Sequence, residues 1–203
     1  MKTLSFIKIL SFGFILLLFT SCAGTYNSVR PDSYNYGATE FGDGLEINYK
    51  HAILKEAGNK KYAKKEDKKD IKLIGVRLKN FTSRTISVAN EVEFFVGGQA
   101  VNPLMPEVTH KLIKQRSASH LLYLLLTPMV ATVGESGDIP LGLVVAPGLA
   151  IGNGLVARNS NKKLLAELED YNLLNKEIAP GETIYGILAV RDVGYDPVQV
   201  KLR

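Results

Sequence analysis

The sequence predicts a mainly β protein: a β-sandwich interrupted by a helical insertion at about 107–174. Three observations predict it. Short runs with an apolar residue at every second position fill 45–104 and 176–203, the period of half-buried strands. Turn chemistry separates those runs, at Asn80 to Ser83, at Gly97-Gly98 and at Pro180-Gly181. Between the two β blocks lie two nearly uncharged apolar runs with helical spacing at their outer edges.

Met1 to Ser21 have the layout of an export signal. Lys2 and Lys8 make the start basic, Ile9 to Phe19 form an apolar core, and Thr20 and Ser21 are small. The core is short for a spanning helix, which needs about 20 apolar residues. Cys22 is the only cysteine, so no disulfide within the chain is open to it. Phe19-Thr20-Ser21-Cys22 resembles the bacterial lipobox, although Phe19 stands where Leu is commonest. The resemblance implies cleavage before Cys22 and acylation there, palmitate among the chains. Each buried methylene contributes about 0.8 kcal/mol and stable anchoring takes more than one chain; the resemblance implies three acyl chains, which would make attachment effectively permanent. No acidic residue follows Cys22 directly. The location expected is the periplasmic face of the outer membrane.

Residues 22–44 read as a polar tether, and 45–203 as a single domain. Leu45 to Tyr49 alternate as a strand that continues through Ile53 and Leu54. Gly58 to Asp70 hold six lysines with Glu66, Asp67 and Asp70. That run reads as a solvated hairpin loop, with contact to lipid headgroups as the sharper reading. Ile71 to Leu78 form a strand with Ile74, Val76 and Leu78 on one face. Thr85 to Val88 resume the β pattern, and Val92, Phe94 and Val96 continue it to a hairpin at Gly97-Gly98. Gln99 to Val101 return, and Pro103 closes that strand. Near the end, Pro180-Gly181 turn the chain into Thr183 to Val190. Asp192 to Pro197 form a loop, and Val198, Val200 and Leu202 mark the last strand.

Two short motifs carry a further resemblance. Leu78-Lys79-Asn80-Phe81-Thr82, taken with Pro180-Gly181-Glu182-Thr183 before Ile184 to Leu188, resemble the immunoglobulin-like β-sandwich domains of bacterial exported lipoproteins. In that family an Asn-x-Thr turn ends an early strand and a Pro-Gly-Glu-Thr turn opens a late one. The match covers roughly 45–104 and 176–203. It implies an immunoglobulin-like fold used outside the cytoplasm, commonly without enzymatic activity, and it supplies no site residues.

The middle section departs from a simple sandwich. Val108, Leu112 and Ile113 begin an amphipathic helix. Leu121 to Val133 are nearly all apolar, but Pro128 breaks a continuous helix there. Glu135 to Asp138 form a polar turn, and Ile139 to Ala157 are uncharged. Leu164, Leu165, Leu168 and Tyr171 mark another helix face, with Glu167, Glu169 and Asp170 outside it. The runs form an apolar helical hairpin at 117–158, flanked by Arg116 and Arg158. Two readings stand: it packs as buried core or against another copy, or it enters the membrane. Gly148 and Gly152, four apart, suit close helix packing.

Catalytic chemistry is not evident. Gly134 to Asp138 faintly resemble a serine-protease nucleophile segment, but a working serine needs a histidine base and an orienting carboxylate. His51, His110 and His120 match no metal spacing. Glu167 and Glu169 lie two apart and do not share a helix face. The net charge of +5 falls to +3 when Lys2 and Lys8 leave with the signal. That mild excess names no partner, and location argues against nucleic acid. The function expected is a non-catalytic binding or structural role in the envelope, without cofactor or metal. The partners expected are the membrane, through the anchor, and a second copy or an envelope protein.

Overall fold

The computed structural model describes residues 23–117, 122, 124, 125, 127, 128, 130–132, 138, 139 and 141–203. The signal, Cys22, His120 and residues 133–137, which include Glu135 to Gly137 of the expected polar turn, lie outside the described residues. The chain divides into two compact units rather than one domain over 45–203. The larger comprises 26–114 and 161–203; the smaller comprises 23–25 and 115–160.

In chain order the elements are β1 (Ala38–Gly42), β2 (Leu45–Lys50), α1 (Ile53–Glu56), α2 (Lys60–Lys68), β3 (Ile71–Asn80), β4 (Ile86–Ser87) and α3 (Val88–Glu91). Then come β5 (Val92–Val96), β6 (Gln99–Val101), α4 (Pro106–Ile113), β7 (Ala131–Thr132), β8 (Asp138–Ile139) and α5 (Leu141–Asp170). The chain ends with β9 (Glu177–Ile178), β10 (Thr183–Arg191) and β11 (Val198–Leu202).

In the larger unit, an antiparallel sheet of order β1-β2-β3-β10 and another of order β11-β5-β6 bury their inner faces in one cluster. Ile47, Ile74, Val76, Leu78 and Leu188 come from the first sheet, and Phe94, Val96, Val198 and Val200 from the second. The period of two puts these residues on one face of each strand. The opposite face of β3 and β10 is apolar too. Ile71, Leu73, Ile187 and Ala189 pack there against Ile53, Leu54, Tyr62, Ile113, Leu164 and Leu168. A sheet covered on both faces explains why β3 and β10 are almost wholly buried.

The Gly97-Gly98 hairpin joins β5 to β6 as the sequence predicts. Both glycines have positive φ, +58° and +78°, which a two-residue turn of this hand requires. The two motif turns meet at Asn80, which is fully buried. Its side-chain amide donates to Arg84 O and Ile178 O, both at 2.8 Å. Its side-chain oxygen accepts from the Thr82 amide at 2.8 Å and hydroxyl at 2.7 Å. Asn80 O accepts from the Gly181 amide at 2.8 Å. One residue thus satisfies both turns.

Four expectations are corrected. Residues 26–44 are no tether: Tyr26 and Val29 are buried and Ala38–Gly42 pair with β2. Ile53 and Leu54 do not extend a strand, because Ala52 adopts a positive φ of +56° and redirects the chain into α1. The lysine run is helix α2, not a loop. Tyr62 and Glu66, one turn apart, point inward while Lys60, Lys64 and Lys68 stay exposed. The 117–158 segment is also not a helical hairpin among its described residues. Leu122, Leu124 and Leu125 lie in single 3-10 turns, Thr127 and Pro128 turn, and β7 pairs antiparallel with β8. Pro128 gives the reason on the first run. The second run is helical and continues through Pro147 into the Leu164–Leu168 face as one helix, α5.

The inward Glu66 carries the first testable consequence. Burial pushes its carboxyl up to about 7, against the Leu73 amide and Lys72, which pull it down. The Leu73 amide donates to its carboxylate at 2.7 Å. A folded value above the ordinary 4.5 means the folded state holds this proton more tightly. The contribution to stability is therefore full below about 4.5 and is lost as pH rises through about 7, by roughly 2–4 kcal/mol. Glu66→Gln keeps the acceptor for Leu73 without the charge. We expect it to be more stable than the parent at pH 8 and to flatten stability across this window in urea titrations. An unchanged pH slope would contradict the assignment.

Candidate functional site

The densest polar cluster in the larger unit is built around Glu167, near the end of α5. Helical spacing puts Glu167 three residues after Leu164 and one before Leu168, both of which pack on the sheet. The carboxylate is therefore carried inward and is only 8 % exposed. The segment Tyr26 to Arg30 wraps around it. The Val29 amide donates to both carboxylate oxygens, at 2.9 Å and 3.0 Å. The Arg30 amide donates at 3.2 Å. The Tyr26 and Ser28 hydroxyls each donate to it as well. Arg30 reaches a left-handed φ of 45°, and the reversal lets two successive amides point at one anion. Burial, then the bond to Glu167, hold the Tyr26 phenol far above its ordinary range, so it stays a donor.

Beside this cluster a groove of about 470 Å³ is lined by Ser28, Arg30, Lys163, Asp170 and Tyr171. The Tyr171 hydroxyl donates to Asp32 at 2.6 Å. Burial and that bond push its pKa up to about 12. The groove offers two cations and one carboxylate to a small polar ligand. Glu167 itself is committed to protein donors and works as a latch on the segment Tyr26 to Arg30. A smaller cavity, about 300 Å³, lies at the β1–β2 turn beside the exposed rings of Phe41 and Phe81.

The residues singled out by the sequence are dispersed. Cys22 lies outside the described residues. Gly148 and Gly152 are exposed on α5, and a β-carbon at either meets nothing within 4 Å. Among the described residues nothing packs closely on them, and Ala146 and Ala150 form a buried face. His51 stacks edge-on between Tyr49 and Tyr195, each 5.5 Å away, and its ring Nε2 lies 3.0 Å from Asp196 O. Burial lowers its pKa. His110 is half-buried on α4 and its pKa is lowered by burial and by Lys114. Among the described residues no group of three His, Cys, Asp or Glu side chains is placed to hold a metal. Glu167 is the residue the sequence reading misplaced. Its spacing from Leu164 and Tyr171 marked the inward face, but its charge read as exposure.

No family model, curated protein or solved structure matches this chain.

Proposed function

We propose that this protein is a bacterial cell-envelope lipoprotein, held through acylated Cys22 on the periplasmic face of the outer membrane, with a non-catalytic binding or structural role. The observation that carries the reading is the apolar leader ending in Thr20-Ser21-Cys22, with Cys22 the only thiol in the chain. The two antiparallel sheets packed on one apolar cluster, with the two motif turns meeting at Asn80 at the end of the first sheet, support reading the larger unit as an immunoglobulin-like sandwich.

The segment directly after Cys22 supports a role at the bilayer surface. Ala23, the first of the described residues, bonds to Asn153, and Tyr26 is core. Four residue steps from Cys22 to Tyr26 span at most about 14 Å. A domain on so short a leash presents its surface to partners within the envelope rather than reaching across it. The Glu167 latch keeps that leash short.

Metabolic labelling with a palmitate analogue tests the reading. The parent is expected to take label and Cys22→Ala to take none. An unlabelled parent, or label retained in the variant, would overturn it.

A second reading has one specific observation behind it: the apolar residues exposed in the smaller unit, which favour action through 117–158 by insertion or self-association. Deleting that segment and measuring both properties tests it.

A further inference from the structure

In the smaller unit α5 is turned inside out relative to a helix of a water-soluble protein. Such a helix directs its larger apolar residues inward. Here the small residues Ala146, Ala150 and Ala157 are buried. Leu143, Ile151 and Leu155 are 58 %, 64 % and 52 % exposed. Ile151 and Leu155, four apart, lie on one stripe of the helix, and Leu143 stands about two turns before Ile151 at the edge of that stripe. No charged residue occurs from Leu141 to Ala157, and exposed Arg158 follows one turn beyond Leu155. Small residues against protein and large apolar residues outward is the arrangement of helices that meet lipid.

The attachment point of the chain fixes which apolar phase is near. The Ala23 amide donates to the Asn153 side chain at 2.9 Å. The Gly24 amide donates to Gln115 Oε1 at 3.0 Å, and Gln115 Nε2 donates back to Gly24 O at 2.7 Å. Ala23 is one peptide bond from Cys22. Asn153 is two residues from both Ile151 and Leu155 and so lies on the opposite side of the helix, which places Ala23 about one helix diameter, 10–12 Å, from the stripe.

We propose that the Leu143–Ile151–Leu155 stripe of α5 seats in the same leaflet that holds the acylated Cys22, a contact that rests on the lipoprotein reading. The contact is shallow. From Leu143 to Leu155 the helix rises about 18 Å, well short of a hydrocarbon core of about 30 Å. Among the described residues no helix is long and apolar enough to cross a membrane. The helix lies in the boundary of one leaflet, and Arg158 meets the headgroup phosphates, its stem along the apolar surface. A second copy of the chain is the competing occupant. The bond that holds Ala23 to this helix favours lipid, because it tethers any acyl chains on Cys22 within about a helix diameter of the stripe.

The chain contains no tryptophan, so one introduced indole reports depth without background. Acylated full-length Ile151→Trp and Leu155→Trp are reconstituted in phosphatidylethanolamine–phosphatidylglycerol vesicles with and without brominated acyl chains. We expect both to lose more than half their emission in the brominated vesicles. The pair Ile151→Asp and Leu155→Asp, combined in the unacylated Cys22→Ala chain, is expected to weaken vesicle retention at least about tenfold. An unchanged unfolding temperature in that variant ensures that the loss is not misfolding. Unquenched emission at both stripe positions overturns the proposal. So does concentration-dependent self-association that Leu155→Asp abolishes, which assigns the stripe to a second copy. Quenching of stripe indoles in the Cys22→Ala chain supports the lipid contact even if the anchor reading fails. Acylated Cys22 with unquenched indoles sinks the contact alone.

Discussion

Asn80→Asp is expected to lower stability by about 4 kcal/mol at pH 7, reading as a fall in Tm of about 10 °C or more. The two side chains have the same shape, so packing is unchanged. The amide nitrogen that donates to Arg84 O and Ile178 O, both at 2.8 Å, becomes an oxygen facing two carbonyl oxygens. The site is fully buried, so a carboxylate there is desolvated while it faces two carbonyl oxygens. Two carbonyls lose their donor and a charge is repelled. The pH dependence has a definite sign. The introduced acid is held above its ordinary pKa, so its cost is full at neutral pH and shrinks as pH falls and the carboxyl takes a proton. Asn80→Ala, which leaves unsatisfied groups and a cavity but no charge, is expected to cost about 3 kcal/mol with little pH dependence. A thermal or urea titration of both variants at two pH values decides it. Asn80→Asp within about 1 kcal/mol of the parent at pH 7 would contradict the pairing of the two turns through this side chain.

The second large effect is at the latch. Glu167→Ala removes the acceptor shared by the Val29 and Arg30 amides and the Tyr26 and Ser28 hydroxyls. Hydrogen bonds to a charged group are worth about 1.5–3 kcal/mol each. The hydroxyls can turn to water once freed, whereas the Val29 amide is buried with its residue, so the expected loss is about 3 kcal/mol. The damage is local in kind. Hydrogen exchange over 26–30 is expected to accelerate far more than over β3 or β10, whose ladder is independent of Glu167. Protection at 26–30 equal to that of the parent would show that the tyrosine and valine contacts hold the segment without the carboxylate.

The β framework was legible because alternation is a direct consequence of strand geometry. Ile74, Val76 and Leu78 declare the inner face of β3, and Gly97-Gly98 declare their turn. The covering layer was less legible. Tyr26, Val29 and Tyr34 sit in a polar stretch whose few apolar residues have no period, and nothing local says that they return to a sheet face formed later in the chain. Glu66 and Glu167 were read as solvated because they are charged. Each stands at helical spacing from buried apolar residues, Tyr62 in one case and Leu164 in the other. Pattern at three and four residues was the better guide than charge. α5 was divided in two because the polar, basic stretch Arg158 to Lys163 parts the uncharged run from the Leu164 face, and Pro147 is a helix breaker in general. It falls in the second turn, where only one hydrogen bond is lost. Asn80 stood out in the sequence as a turn residue, but its reach to Ile178 joins positions 98 apart, which no local pattern encodes.

The short leash and the leaflet contact of α5 both depend on Cys22 carrying lipid. Intact-mass analysis of the mature protein from membranes of its native host tests this directly. The mass predicted is that of a chain beginning at Cys22 with a diacylglyceryl thioether and an acylated amino terminus. A free thiol at Cys22, or a product that retains residues 1–21, would contradict it.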